Sequence, residues 1–180
     1  MPGGKVKKSI LPDGLDATDI HIIEALQENS RVSLTEIGRR LALSDVAVHY
    51  RLRKLMELGV IEGFTVVVNP EKLGFSIRAT FGLQVDPPYL EDVARKLAEH
   101  PSFYLVWVVS GAHNVHAKAI FRDASEMQRT LGNFLHKLEG VKGYHMSILV
   151  KPIKEDFTLK SSVSELRNRI KDYFYSKSVF

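Results

Sequence analysis

The chain has 180 residues, 44% hydrophobic and 26% charged, with a formal net charge of +4 and no cysteine. This composition fits a globular protein with one large core or two small ones, and it excludes disulfides, thiolate metal sites and cysteine nucleophiles. The longest apolar run, Phe103 to Val109, is too short to span a bilayer, and no N-terminal stretch reads as a signal peptide, so a cytoplasmic protein with no membrane partner is expected. The last thirty residues carry seven basic and four acidic side chains and hold most of the positive excess. Mild basicity of this kind permits a nucleic-acid partner without arguing for one.

Residues 1–14, with Gly3, Gly4, Pro12, Gly14 and the lysines Lys5, Lys7 and Lys8, read as a flexible basic arm. Order is expected from Leu15. Asp16 can cap a helix whose apolar face is Ile22, Ile23 and Leu26, with Asp19 in its first turn. Ser33 and Glu36 have the spacing of a capping box for a second, short helix over Leu34, Ile37 and Leu41. Ser44 caps a third, with Val48, Leu52 and Leu55 inward and Gly59 at its end. Val60-Ile61 and Phe64 to Val68 read as strands, so that residues 15–64 form a winged helix-turn-helix and residues 65–75 a linker strand.

The next stretch alternates. Ile77 to Val85 reads as strand, Leu90 to Leu97 as helix, Phe103 to Val109 and Val115 to Phe121 as strands, Met127 to Leu138 as helix and Tyr144 to Val150 as strand. That order is the split βαβ of a ferredoxin-like βαββαβ domain over residues 76–151, which makes the class α+β. Residues 152–180 are an extension. Ser162 and Glu165 are spaced as a capping box, and Val163, Leu166, Ile170 and Phe174 line one helical face. An apolar stripe of this kind is expected to pack on the second domain or on a neighbouring subunit.

Three short helices with a tight Ala42-Leu43 connection suit a DNA-binding helix-turn-helix, whose third helix enters the major groove of double-stranded DNA. Its outward positions are Asp45, Val46, Ala47, His49, Tyr50 and Arg53, with Ser44 at the cap and Arg51 and Lys54 at the flanks. Val46 and Ala47 are small enough to let the helix approach base edges and thymine methyls. Arg51, Arg53 and Lys54 are expected to hold phosphates.

The ordered series Leu15-Asp16, Asp19, Ile22-Ile23, Asn29-Ser30-Arg31, Leu43-Ser44, Arg51-Leu52, Leu55, Gly59-Val60-Ile61 and Gly63-Phe64, followed by Pro70 and Leu73-Gly74, resembles the Lrp/AsnC (feast/famine) transcription regulators over about residues 15–151. The resemblance implies operator binding, a homo-oligomer built by the ferredoxin-like domains, and in many members an amino-acid or other small-metabolite effector. It also implies an effector loop between the second and third strands of that domain, here Ser110, Gly111, His113 and Asn114. Asn114 stands where the family usually has aspartate. A neutral amide cannot pair with an ammonium as a carboxylate does, so weak or absent amino-acid binding is expected at this loop, with Asn114→Asp expected to strengthen it.

No nucleophile elbow, P-loop or dinucleotide fingerprint is present, and neither a catalytic site nor a cofactor is expected. His113 and His116 supply two imidazoles, fewer than zinc requires, so no metal is expected either. The alternative on the same architecture is a siroheme-decarboxylase-like enzyme. The intact, capped third helix with basic outer positions favours the regulator.

Overall fold

A computed structural model describes residues 11, 14–156 and 158–177, without the side chains of residues 160 and 171–177. The basic arm therefore lies, apart from Leu11 and Gly14, outside the described residues, as does the side chain of Phe174. The helices are α1 (Ala17–Glu28), α2 (Leu34–Leu41), α3 (Asp45–Glu57), α4 (Leu90–Glu99), α5 (Ala124–Asn133) and α6 (Lys160–Lys177). The strands are β1 (Ile77–Val85), β2 (Phe103–Val108), β3 (Val115–Phe121) and β4 (Val141–Ile148). They form two compact units, one of residues 1–66 with 154–180, the other of residues 67–153.

In the first unit each start signal has a physical counterpart. Asp16 accepts the N–H of Asp19 (2.9 Å) while Asp19 accepts that of Asp16 (3.1 Å), a capping box with aspartate in the usual glutamate place. Ser33 accepts the Glu36 N–H (3.1 Å). Glu36 does not reciprocate: its carboxylate turns to Arg39 and Arg40 (2.9 and 2.7 Å), and those hydrogen bonds hold it well below the ordinary carboxylate range. Between α2 and α3 the chain turns through Ala42 in the left-handed region (φ 53°), and the Leu43 N–H donates to the Gly38 carbonyl (2.9 Å). A Cβ on Gly38 would come within 2.7 Å of the Leu43 carbonyl oxygen, so the turn requires glycine there.

Ile22, Leu26, Ile37, Val48 and Leu55 bury the inner faces of all three helices. The C-terminal helix joins the same unit. Ile170 and Ile20 are buried against Leu11, with Val163 and Leu166 packed beside them, and Gln27 donates its side-chain amide to the Thr158 carbonyl. The stripe on α6 thus covers α1 rather than the second domain. The helix starts at Lys160, two residues before the expected Ser162 cap, after Leu159 in the left-handed region (φ 52°).

The strands expected at Val60-Ile61 and Phe64–Val68, and the linker strand at residues 65–75, are not formed among the described residues. Residues 62–69 are irregular, and a 3-10 turn follows at Glu71–Leu73. The valines have strand propensity but no partner strand, and Val66, Val67 and Val68 are all exposed.

The second unit is one antiparallel sheet in the order β2-β3-β1-β4, the split βαβ arrangement the element order implies. Ala79, Phe81, Leu83 and Val85 of β1 and Val115, Ala117, Ala119 and Phe121 of β3 point to one face, where Val93 and Leu97 of α4 and Met127 of α5 close the core. At its margin His100 lies over Phe134 (ring centroids 4.4 Å) and accepts the Ser102 N–H at Nδ1 (3.2 Å). Burial pushes this imidazole below its ordinary value of 6.5.

Two outcomes follow. Asp19→Ala removes a buried carboxylate from its partners and should cost about 3 kcal/mol, read as a lower denaturant midpoint. For His100 the folded state favours the neutral ring, so its stabilising contribution is complete above pH 6.5 and is lost as pH falls through the folded value. The His100 ring resonance should therefore titrate with a midpoint below 6.5 by NMR; a midpoint above it contradicts the packing described.

Candidate nucleic-acid interface and effector loop

The third helix is held from three directions. Ser44 accepts the Ala47 N–H (3.2 Å) as its N-cap. Asp45 accepts the Thr35 hydroxyl (2.6 Å), which fixes the start of α3 against the start of α2. At the inner flank Arg51 donates to Asp16 (2.7 Å) and to Asp19 (2.8 Å), and Lys54 donates to the other Asp19 oxygen (3.0 Å). Asp19 is fully buried, and the two cations are a quarter to a third exposed. Hydrogen bonds to Asp16 and Asp19 raise the Arg51 guanidinium above its usual value. Burial alone would push Asp16 up, yet the Arg51 and Asp19 hydrogen bonds hold it below the usual value.

The structure therefore divides the nine residues of the predicted DNA face. Ser44, Asp45, Arg51 and Lys54 are engaged within the unit, and Arg51 and Lys54 serve Asp19 instead of projecting freely as the helical spacing implied. Val46, His49, Tyr50 and Arg53 share an open concavity with Leu34 and Asp45, and Ala47 is half-buried beside them. Val46 is 79% and Tyr50 59% exposed, which puts two large apolar side chains on one open face beside Arg53. Arg53 has one loose, exposed pairing, with Glu57 at 3.7 Å.

The loop between β2 and β3 is pinned at its far end. The Asn114 side chain accepts the Val85 N–H (2.8 Å) and donates to the Val85 carbonyl (2.7 Å), so one amide satisfies both backbone groups at the end of β1. Ser110 and Gly111 are exposed, and Gly111 has a φ of 124° that other residues rarely adopt. His113 turns onto the sheet. Its ring sits over Gly82, where a Cβ would come within 3.1 Å of it, and its Nε2 is hydrogen-bonded to His145 Nδ1 (2.8 Å). Gly82 pairs with both His116 and His145 across the ladder, which puts three histidines around one glycine. Sequence spacing suggested His113 with His116; it held no signal for Val85, His145 or Gly82.

Comparison with known proteins gives one family throughout. Residues 15–56 match the AsnC-type helix-turn-helix domain, and residues 78–159 match the Lrp/AsnC ligand binding domain. The chain is 34% identical over 140 residues to the HTH-type transcriptional regulator LrpA of Pyrococcus horikoshii, covering 78% of this chain and 99% of that protein. It is 36% identical over 141 residues to the regulator FL11 of Pyrococcus furiosus, covering 78% and 93%. Among solved structures, the Neisseria meningitidis regulator NMB0573 in complex with L-Met superposes with a TM-score of 0.74 at 26% identity, over 81% of this chain and 96% of that one. Escherichia coli AsnC shares the fold at the same TM-score and 22% identity, over 80% and 98%. The chain belongs to the Lrp/AsnC family of transcriptional regulators.

Proposed function

We propose that this protein regulates transcription by reading duplex DNA with the outer face of α3, and that Val46, Ala47, His49, Tyr50 and Arg53 make the contacts. The exposure of Val46 and Tyr50 beside Arg53 carries this reading. Apolar side chains at the start of the helix suit thymine methyls and base edges, and Arg53 suits a phosphate or a guanine. Ser44, Asp45, Arg51 and Lys54 then set the angle at which the helix is offered. The protein acts in the cytoplasm as a homo-oligomer, because one such helix covers only half a site; a two-fold pair separated by about 34 Å reads a full operator. The unpaired valines at 66–68 are one surface a second copy can cover.

The regulator is modulated through a small molecule near Ser110, Gly111, His113 and Asn114. The L-Met complex of the Neisseria protein supports this for the fold as a whole. At this loop the Asn114 amide is already spent on Val85, so the polar groups on offer are Ser110, the Gly111 backbone and the linked His113–His145 pair.

For DNA, Arg53→Ala should weaken binding to every duplex and reduce the slope of log affinity against log salt by about one. Lys54→Ala should instead lower the melting temperature and leave that slope unchanged. A unit loss of slope in Lys54→Ala would show that its ammonium leaves Asp19 for a phosphate. For the loop, Asn114→Asp deletes the donor to the Val85 carbonyl and sets a carboxylate against it. It should destabilise the fold by about 1–3 kcal/mol and, contrary to the expectation from sequence, bring no gain in amino-acid binding. Calorimetry with L-methionine on both proteins checks it.

A further inference from the structure

Residues 1–14 and 160–180 lie outside both matched family domains, yet these two additions meet on the DNA-binding unit. Leu11 and Ile170 are both buried, and together they close over Ile20 of α1. Three residues on, Gly14 takes a φ of 88° beside the C-terminal end of α3, where a Cβ would lie 3.6 Å from Leu58 Cδ1. The chain before Leu11 therefore springs from a packed root on the unit that carries the recognition helix. Residues 1–10 lie outside the described residues; they include Lys5, Lys7 and Lys8 and no acidic residue. The recognition helix itself is short of usable cations. Of its three lysine and arginine side chains, Arg51 and Lys54 are held by Asp19, and Arg53 is left on the outer face. On α2, Arg39 and Arg40 are both paired with Glu36. Affinity for duplex DNA rests largely on cations set against phosphates, so the charge must come from elsewhere.

We infer that residues 1–10 form a second DNA contact: Lys5, Lys7 and Lys8 bind duplex phosphates beside the half-site that α3 reads, and Leu11, seated on Ile20 and Ile170, fixes where this arm begins. Lysine suits the task, because its ammonium is a point charge that takes a phosphate oxygen without reading a base. Residues 1–10 hold no arginine, asparagine or glutamine, the side chains that pair with base edges. Ten residues reach at most about 35 Å, roughly one turn of the duplex, so the phosphates in question flank the half-site. Helix α6 then has a part in DNA binding without touching DNA, as the anchor of the arm. The inference rests on the reading of this unit as the DNA-binding one and adds a contact that α3 does not make.

The test is the binding of the full-length protein to a random-sequence duplex of about 40 base pairs, followed by fluorescence anisotropy over a range of salt, since phosphate contacts do not depend on sequence. Lys5→Ala, Lys7→Ala and Lys8→Ala combined should lower the slope of log affinity against log salt by about two to three, at roughly 0.9 per lost contact, and weaken binding more than about tenfold at ~0.15 M salt. Arginine at the same three positions should restore both. The melting temperature should stay unchanged in either variant, which separates a lost contact from a lost fold. Leu11→Gly keeps the three lysines but frees the root. It should keep the slope and weaken binding a few-fold, as the effective concentration of the arm at the duplex falls. If the alanine variant keeps the slope, the arm does not touch DNA and the inference is overturned. If that variant instead changes the sedimentation profile with the slope intact, the arm serves a second copy, and the inference is overturned again. If Leu11→Gly binds like the unaltered protein, the anchoring role of α6 is wrong. Arg53→Ala reports on α3 separately: a slope that falls only there rules out the arm, and one that falls only in the lysine variant rules out the Arg53 contact.

Discussion

The arrangement of the DNA-binding unit hangs on one fully buried carboxylate. Asp19 closes the first turn of α1 and receives Arg51 and Lys54 from two successive turns of α3. A charge removed from water must be matched by charge and hydrogen bonds, and the match is stringent about direction. Helix α1 can keep Asp19 inside only if α3 approaches at the angle that delivers both cations. The negative pair Asp16 and Asp19 also meets the positive end of the α1 dipole, so the same groups serve as cap, dipole complement and interhelical tie. What is left for the outside of α3 is the set of side chains this tie does not use.

The second unit solves a similar problem with a neutral group. The β2–β3 loop would be free to swing about Gly111, yet Asn114 grips both backbone groups of Val85 and so ends the loop at a defined place on β1. His113 is laid over Gly82, a sheet position with no side chain, and linked to His145. The loop therefore offers an exposed glycine tip on a fixed base.

Much of this was legible in sequence because it depends on period. The inner faces Ile22-Leu26, Ile37 and Val48-Leu55 repeat at helical spacing, and the alternation in β1 and β3 marks a half-buried sheet. The strand order followed from the order of elements. Hydrogen-bond partners far apart in the chain were not legible. A flank position on a helix looks the same whether it faces a phosphate or a buried aspartate on another helix, and Arg51 and Lys54 turned out to face the aspartate. Asn114 fits the composition of a turn, but its partner is 29 residues away. Val66 to Val68 show the opposite error: propensity writes a strand, but a strand exists only where another strand accepts its hydrogen bonds.

The return of α6 to α1 makes the DNA-binding unit discontinuous in sequence. Its first helix leaves the ribosome early, yet Ile20 stays uncovered until synthesis reaches Ile170. The sheet unit lies between them and is complete before that point. A nascent or truncated chain therefore presents a formed ligand-binding unit tethered to a reading head whose back is still open to chaperones and proteases.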